Sequence, residues 1–210
     1  MYQKYVKRSI DLVLSAIGII VLAPVWLILA IAIKRDDPGP VFFTQRRIAQ
    51  DKNGKKQFFR IYKYRSMKMC TPKDTPTHLL ENPEQYITRV GGFLRKTSLD
   101  ELPQIFNIFL GQMSIIGPRP ALWNQDDLYA ERAKYGANAV KPGLSGWAQI
   151  NGRDELPIDV KAKLDGEYVE KMSFGFDLKC FFGTITSVLK HDGVVEGGTG
   201  AMAKKEEAEK

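Results

Sequence analysis

Between Asp11 and Lys34 lie 22 residues, Leu12 to Ile33, without a charge; only Ser15, Gly18 and Pro24 among them fall outside the apolar set. A helix of this length rises roughly 33 Å and is long enough to cross a bilayer. A cleaved signal peptide fits poorly, because the run is too long and Lys34, Arg35 and Asp36 stand where a small-residue cleavage site belongs. On length alone a straight span fits. Two details favour a hairpin that dips in and returns. Lys4, Lys7 and Arg8 precede the run and Lys34 and Arg35 follow it, which draws both ends to the cytoplasmic side. Pro24 sits near its middle, where a proline breaks or kinks a helix. The expected arms, Leu12 to Ala23 and Pro24 to Ile33, are each on the order of 15 to 18 Å, enough to enter one leaflet.

The charge of the chain is uneven in the same way. The formal net charge is +7, yet residues 1 to 68 hold 14 Lys and Arg against Asp11, Asp36, Asp37 and Asp51, a net of +10. The other 142 residues are mildly acidic, at −3. The excess therefore belongs to the segment around the apolar run, where it suits an anionic membrane surface better than a nucleic acid. With 44% apolar and 26% charged residues, disorder is excluded. Cys70 and Cys180 form no Cys-x-x-Cys pair, and His78 and His191 read as surface residues, so neither a zinc cage nor a disulfide framework is expected.

The remainder predicts an α+β fold, mostly helical. Val41 to Ile48 and Gln57 to Arg65 read as a cationic β-hairpin around Asn53-Gly54, and residues 70 to 86, with Pro72, Pro76 and Pro83, as a surface excursion. Leu102, Ile105, Phe106 and Phe109 form a helical stripe stopped at Gly111. Leu178, Phe181, Phe182, Ile185, Val188 and Leu189 form another; such amphipathic helices face a core or lie in a membrane interface. The expected organisation is a membrane helix-break-helix over 1–35, a cytosolic catalytic domain over 36–192 and a flexible charged tail over 193–210.

The densest chemistry is Thr97-Ser98-Leu99-Asp100-Glu101-Leu102-Pro103-Gln104. A helix start explains part of it. Pro103 favours Asp100 over Ser98 as the cap, because a proline third in the helix owes no hydrogen bond. Around the acidic pair stand Arg89, Arg95, Lys96 and the Arg119 of Gly117-Pro118-Arg119-Pro120, whose flanking prolines preset the direction of the guanidinium. Adjacent carboxylates beside fixed arginines suit a Mg²⁺-dependent diphosphate site. The same composition serves equally as a surface salt-bridge network. The stretch Lys141 to Arg153 is rich in Gly and small residues and reads as a loop with accessible N–H groups for an anion. Asp165 is readable as an exposed helical carboxylate, and Trp123 and Trp147 as substrate contacts, interface anchors or core.

Taken together, Lys7-Arg8-Ser9-Ile10-Asp11, Pro24, Pro40-Val41-Phe42-Phe43-Thr44-Gln45, Ile61 to Met67, Ser98 to Gln104, Met113 to Pro120 and Pro142 to Arg153 resemble the bacterial sugar transferases, or monotopic phosphoglycosyl transferases. The resemblance covers about residues 5 to 190 in the family's order. It implies transfer of a sugar 1-phosphate from a UDP-sugar to polyprenyl (undecaprenyl) phosphate with release of UMP, the first membrane step of glycan assembly. It implies Asp100 as the nucleophile of a covalent phosphosugar intermediate and Glu101 as a Mg²⁺ ligand. Lys63, Arg95, Arg119 and Arg153 fall on positions for substrate phosphate, and Pro24 on the break of a re-entrant helix, although Ala23 stands where many relatives have Ser. The implied location is the cytoplasmic face of a bacterial inner membrane, in a minimal catalytic form without the extra N-terminal helices of longer relatives; a homodimer is left open. Alternatives from other classes are a Mg²⁺-dependent UDP-sugar hydrolase and a membrane-anchored module that binds anionic lipid.

Overall fold

The apolar run folds as two helices, α1 (Lys7–Val21) and α2 (Ala23–Asp36), bent by 61° at Leu22, and no single helix among the described residues is long and apolar enough to cross a membrane. These coordinates come from a computed structural model that describes residues 1–71, 82–152 and 156–190. The break lies slightly ahead of the position expected from the sequence. Pro24 sits in the first turn of α2, where its missing N–H is owed to nothing, so α1 must stop about one turn earlier. Leu22 still donates to the Gly18 carbonyl at 3.0 Å, and Trp26 to that of Leu22 at 2.9 Å.

Burial on α1 is inverted relative to a soluble helix. Lys7, Asp11 and Ser15, one turn apart on one face, are buried, while Val13, Ile17, Ile20 and Val21 are exposed. The polar stripe has internal partners. Lys7 Nζ lies 2.5 Å from Asp177 Oδ2, Asp11 Oδ1 accepts from the Ile115 N–H at 2.9 Å, and the Arg8 guanidinium donates to the carbonyls of Ile108 (2.7 Å) and Phe109 (2.8 Å). Asp177 also accepts from the hydroxyls of Tyr2 and Tyr168, at 2.6 and 2.7 Å. Two of the cations flanking the apolar run, Lys7 and Arg8, thus hold the protein's own structure together.

The predicted hairpin is present. Strands β1 (Phe42–Ile48) and β2 (Phe58–Tyr64) pair antiparallel with Phe43 opposite Lys63 and Ile48 opposite Phe58, and Asn53 and Gly54 turn the chain at positive φ. Alternation along β2 points Phe59, Ile61 and Lys63 to one side, so the face that fills the core with Phe59 and Ile61 ends in a cation. Beyond β2 come α3 (Arg89–Lys96), a 3-10 turn at Leu99–Glu101 and α4 (Gln104–Phe109). The stripe on α4 faces the broken helix: Ile105 meets Gly18, and the Phe106 ring centroid lies 5.0 Å from that of Trp26. Gly111, at φ +79°, ends α4 as expected.

Asn107 on α4 is fully buried and takes the place of a third strand on the open edge of β2. Its Oδ1 accepts from the Tyr62 N–H at 2.9 Å and its Nδ2 donates to the Arg60 carbonyl at 2.8 Å. Asn107→Leu leaves both backbone groups without partners, at a cost of about 2–4 kcal/mol, read as a lowered midpoint of chemical denaturation in detergent.

The rest of the core sits around a second small sheet, β3 (Ser114–Ile116) parallel to β4 (Gly143–Ser145). Helices α5 (Asp126–Ala133), α6 (Trp147–Ile150), α7 (Ile158–Lys171) and α8 (Phe174–Lys190) pack about it. Ile116, Tyr168 and Cys180 form one cluster there; Ile48, Ala121, Leu128 and Ala162 form another. The outer face of α8 leaves Phe174, Phe181, Phe182 and Ile185 exposed. An α+β, mostly helical chain with a hairpin was the expectation. Most of the expected excursion, with His78, and also His191 and the 193–210 tail, lie outside the described residues.

Candidate active site

Neither Ser98 nor Asp100 caps a helix with its side chain, contrary to the expectation from Pro103. Ser98 instead adopts a left-handed conformation, φ +56°, and starts the 3-10 turn that carries Asp100 and Glu101; α4 begins only after Pro103. A proline cannot continue the 3-10 ladder or donate within the following helix, so it marks the junction between them. The left-handed Ser98 is a strained position for a residue with a Cβ, and it sits two residues before the acidic pair.

The turn faces the cationic end of β2. Lys63 Nζ donates to Glu101 Oε1 at 2.9 Å and lies 3.7 Å from Asp100 Oδ2. From the other side Arg119 reaches Glu101, with Nη2 3.1 Å from Oε1. Asp100 is buried at 4% exposure, with Glu101 more open beside it. Burial alone would favour the protonated form of Glu101, but Arg119 and Lys63 outweigh it and hold the carboxyl well below the usual carboxylate range. Glu101 is thus ionised at any physiological pH.

Arg95 is half-buried near the far end of α3, its Nε donating to Ser66 Oγ at 2.9 Å. That ties it to the segment that follows β2. Gly91 permits the approach: a Cβ there would stand 2.0 Å from the Ser66 carbonyl oxygen. Thus Lys63 meets both Asp100 and Glu101, Arg119 meets Glu101, and Arg95 is held to Ser66, three positions beyond Lys63 in the chain. Arg153 lies outside the described residues. Sequence reading did not single out Ser66 or Asn107; the only signal for Asn107 was a lone amide between apolar neighbours on a short helix.

Two other sequence expectations are corrected. The glycine loop does not keep its Gly143 N–H open to an anion: that group donates to the Pro118 carbonyl at 2.9 Å, and the Ser145 carbonyl accepts from Gly117 N–H at 2.7 Å. Its glycines serve close packing, since a Cβ on Gly143 would lie 2.1 Å from Gly117 N. Asp165 is not exposed but buried at 1%, paired with Arg132 through Nε at 2.8 Å and Nη2 at 2.6 Å. Of the tryptophans, Trp147 packs on Phe176 and donates to Glu167 Oε2 at 2.8 Å, whereas Trp123 is half-exposed.

At this turn Asp100 and Glu101 offer hard oxygen donors to a metal ion, and among the described residues no group of three or more His, Cys, Asp or Glu is gathered for one. This donor set fits Mg²⁺, which keeps several waters and takes one or two carboxylates together with substrate phosphates. It does not fit a cation caged by protein alone.

Comparison with known proteins agrees with the motifs. The UDP-glucose:undecaprenyl-phosphate glucose-1-phosphate transferase of Escherichia coli (strain K12) is 39% identical over 189 residues, 87% of this chain and 40% of the relative. A UDP-N-acetylgalactosamine-undecaprenyl-phosphate N-acetylgalactosaminephosphotransferase of Aeromonas hydrophila is 35% identical over 191 residues, 88% of this chain and 44% of the relative. The chain thus spans about two fifths of the length of these curated relatives. An uncharacterized sugar transferase, EpsL, of Bacillus subtilis (strain 168) is 40% identical over 189 residues and is matched over 89% of its own length. The family described as bacterial sugar transferase matches residues 2–191, and the chain belongs to it.

Proposed function

We propose that this chain transfers a sugar 1-phosphate from a UDP-sugar to a polyprenyl phosphate at the cytoplasmic face of a bacterial inner membrane, through a covalent intermediate on Asp100. The observation that carries the reading is the acidic pair: a buried carboxylate beside a second one that Lys63 and Arg119 keep ionised. An Asp100 oxygen attacks the β-phosphorus; the bond from that phosphorus to the oxygen bridging the α-phosphate breaks, and its electron pair leaves on UMP. An oxygen of the lipid phosphate then attacks the same phosphorus and breaks the acyl phosphate, which frees Asp100. One phosphate site thus serves a soluble and a lipid substrate in turn.

Lys63 and Arg119 lie where the charge spread over the phosphoryl oxygens would develop, and Arg95 and Arg153 are assigned to the rest of the diphosphate. Glu101 would hold Mg²⁺, which would supply charge neutralisation at the phosphates and leave Asp100 free to attack. The inverted burial of α1 supports the membrane assignment, because its outward apolar face is satisfied by lipid and its polar stripe by the protein. The bend at Leu22 supports a re-entrant path for α1 and α2.

UMP release from a panel of UDP-sugars, with and without undecaprenyl phosphate, tests the reading. Release is expected to require the lipid for multiple turnovers and to stop with EDTA, and Mg²⁺ binding is expected to be weak until a UDP-sugar is present. Sustained UMP release without lipid would indicate a hydrolase instead.

A further inference from the structure

The prolines on either side of Arg119 lack N–H groups and cannot donate backbone hydrogen bonds. Its neighbours' carbonyls are nevertheless gripped from opposite directions. Pro118 O accepts from the Gly143 N–H at 2.9 Å, and Pro120 O accepts from Arg47 Nη1 at 3.0 Å. The second grip comes from β1. There the Ile48 N–H donates to the Ala121 carbonyl at 2.9 Å, Arg47 bridges to Leu122, and Arg47 Nη2 is itself steadied by Gln45 Oε1 at 2.8 Å.

We propose that Arg47 is a positioning residue for substrate phosphate, acting through the Pro120 carbonyl to fix the direction of the Arg119 guanidinium. The hairpin then supplies the site twice: β2 delivers Lys63 directly, and β1 aims Arg119 from behind. Because both strands belong to one register, with Phe43 opposite Lys63 and Arg47 opposite Phe59, the two cations keep a fixed separation across Glu101. A guanidinium that wanders by about 1 Å loses much of its worth toward a developing phosphoryl charge. Arg47 is half-buried and reaches the Arg119 segment at the Pro120 carbonyl.

This inference rests on the transferase reading for its ligand, and a double-mutant cycle on the full chain in detergent tests it. The readout is the dissociation constant of UDP in the presence of Mg²⁺. Arg47→Met is expected to weaken UDP about tenfold in the otherwise native protein and less than about twofold when Arg119→Met is already present. Arg47→Lys, which keeps a donor within reach of Pro120 O, is expected to recover part of the loss, and it carries the same cycle if Arg47→Met does not fold. An equal loss in both backgrounds, or no loss, overturns the proposal. Should the native chain fail to bind UDP, the transferase reading fails. The positioning role is then decided by amide exchange over residues 119–122, expected to accelerate in Arg47→Met and overturning the role if unchanged.

Discussion

Asp100→Asn is expected to lower sugar-phosphate transfer by at least about a thousandfold and to abolish formation of a phosphosugar adduct on the protein. Asn matches Asp in shape and keeps the 3-10 turn, but its amide oxygen cannot displace UMP. The surrounding geometry does not depend on the lost charge, because Glu101 retains both Lys63 and Arg119. Denaturation midpoints of variant and native chain should therefore lie close together, so that the loss reports chemistry. Intact-protein mass measured after incubation with UDP-sugar, without lipid acceptor, should rise by one sugar phosphate in the native chain only. Exchange of labelled UMP into UDP-sugar should follow the same pattern. Native-like turnover by the variant would sink the covalent mechanism.

The second large effect is structural. Arg132 and Asp165 join α5 to α7 through a pair that is buried on both sides, at 5% and 1% exposure. Arg132→Met strands a carboxylate in the core and is expected to cost about 3–5 kcal/mol, a large share of the total stability of a domain. Replacing both partners by apolar residues of similar volume, Arg132→Met with Asp165→Leu, should recover most of that loss. Denaturation of the single and double variants checks the pair of outcomes; a double variant no better than the single one would contradict the account.

The pH dependence has an unusual sign at this pair. Burial raises the Asp165 carboxyl above its ordinary value, and Arg132 opposes this only in part. The folded chain then holds that proton more tightly than the unfolded one, so the group is unfavourable above its folded pKa and the penalty fades as pH falls through it. Glu101 behaves the other way: its depressed carboxyl contributes stability above the ordinary value of about 4.3, and that contribution is lost as the solution is acidified below it.

How far the site was legible in the sequence depended on the distance over which each residue acts. The hairpin announced itself through β-branched and aromatic runs around Asn53-Gly54, and the stop of α4 through Gly111, because both are local backbone rules. The acidic pair with Arg119 was visible as composition, and the proline-flanked arginine did turn toward the carboxylates. What stayed hidden was long-range. Asp165 looked like a surface carboxylate because its partner, Arg132, lies on another helix 33 residues away. Proline reasoning gave the correct prohibition at both Pro24 and Pro103 but misplaced the boundaries, since a missing N–H says where a helix cannot continue and not where it began to fail. The glycine loop pairs with Gly117-Pro118 through Gly143 N–H to the Pro118 carbonyl and Gly117 N–H to the Ser145 carbonyl, contacts that no local pattern encodes.

The bond from Lys7 to Asp177 closes a loop of nearly the whole folded chain, with 170 positions between its ends. Asp177 is made 170 residues after Lys7, so Lys7 stays hydrated until α8 folds against α1, whereas Asp11 and Arg8 find their partners at Ile115, Ile108 and Phe109 earlier. The final pose of α1 is therefore fixed only once α8 is in place. Asp177→Ala in α8 would accordingly be felt first at Lys7, 170 positions upstream, as a loosened α1, with the hairpin and acidic turn still formed.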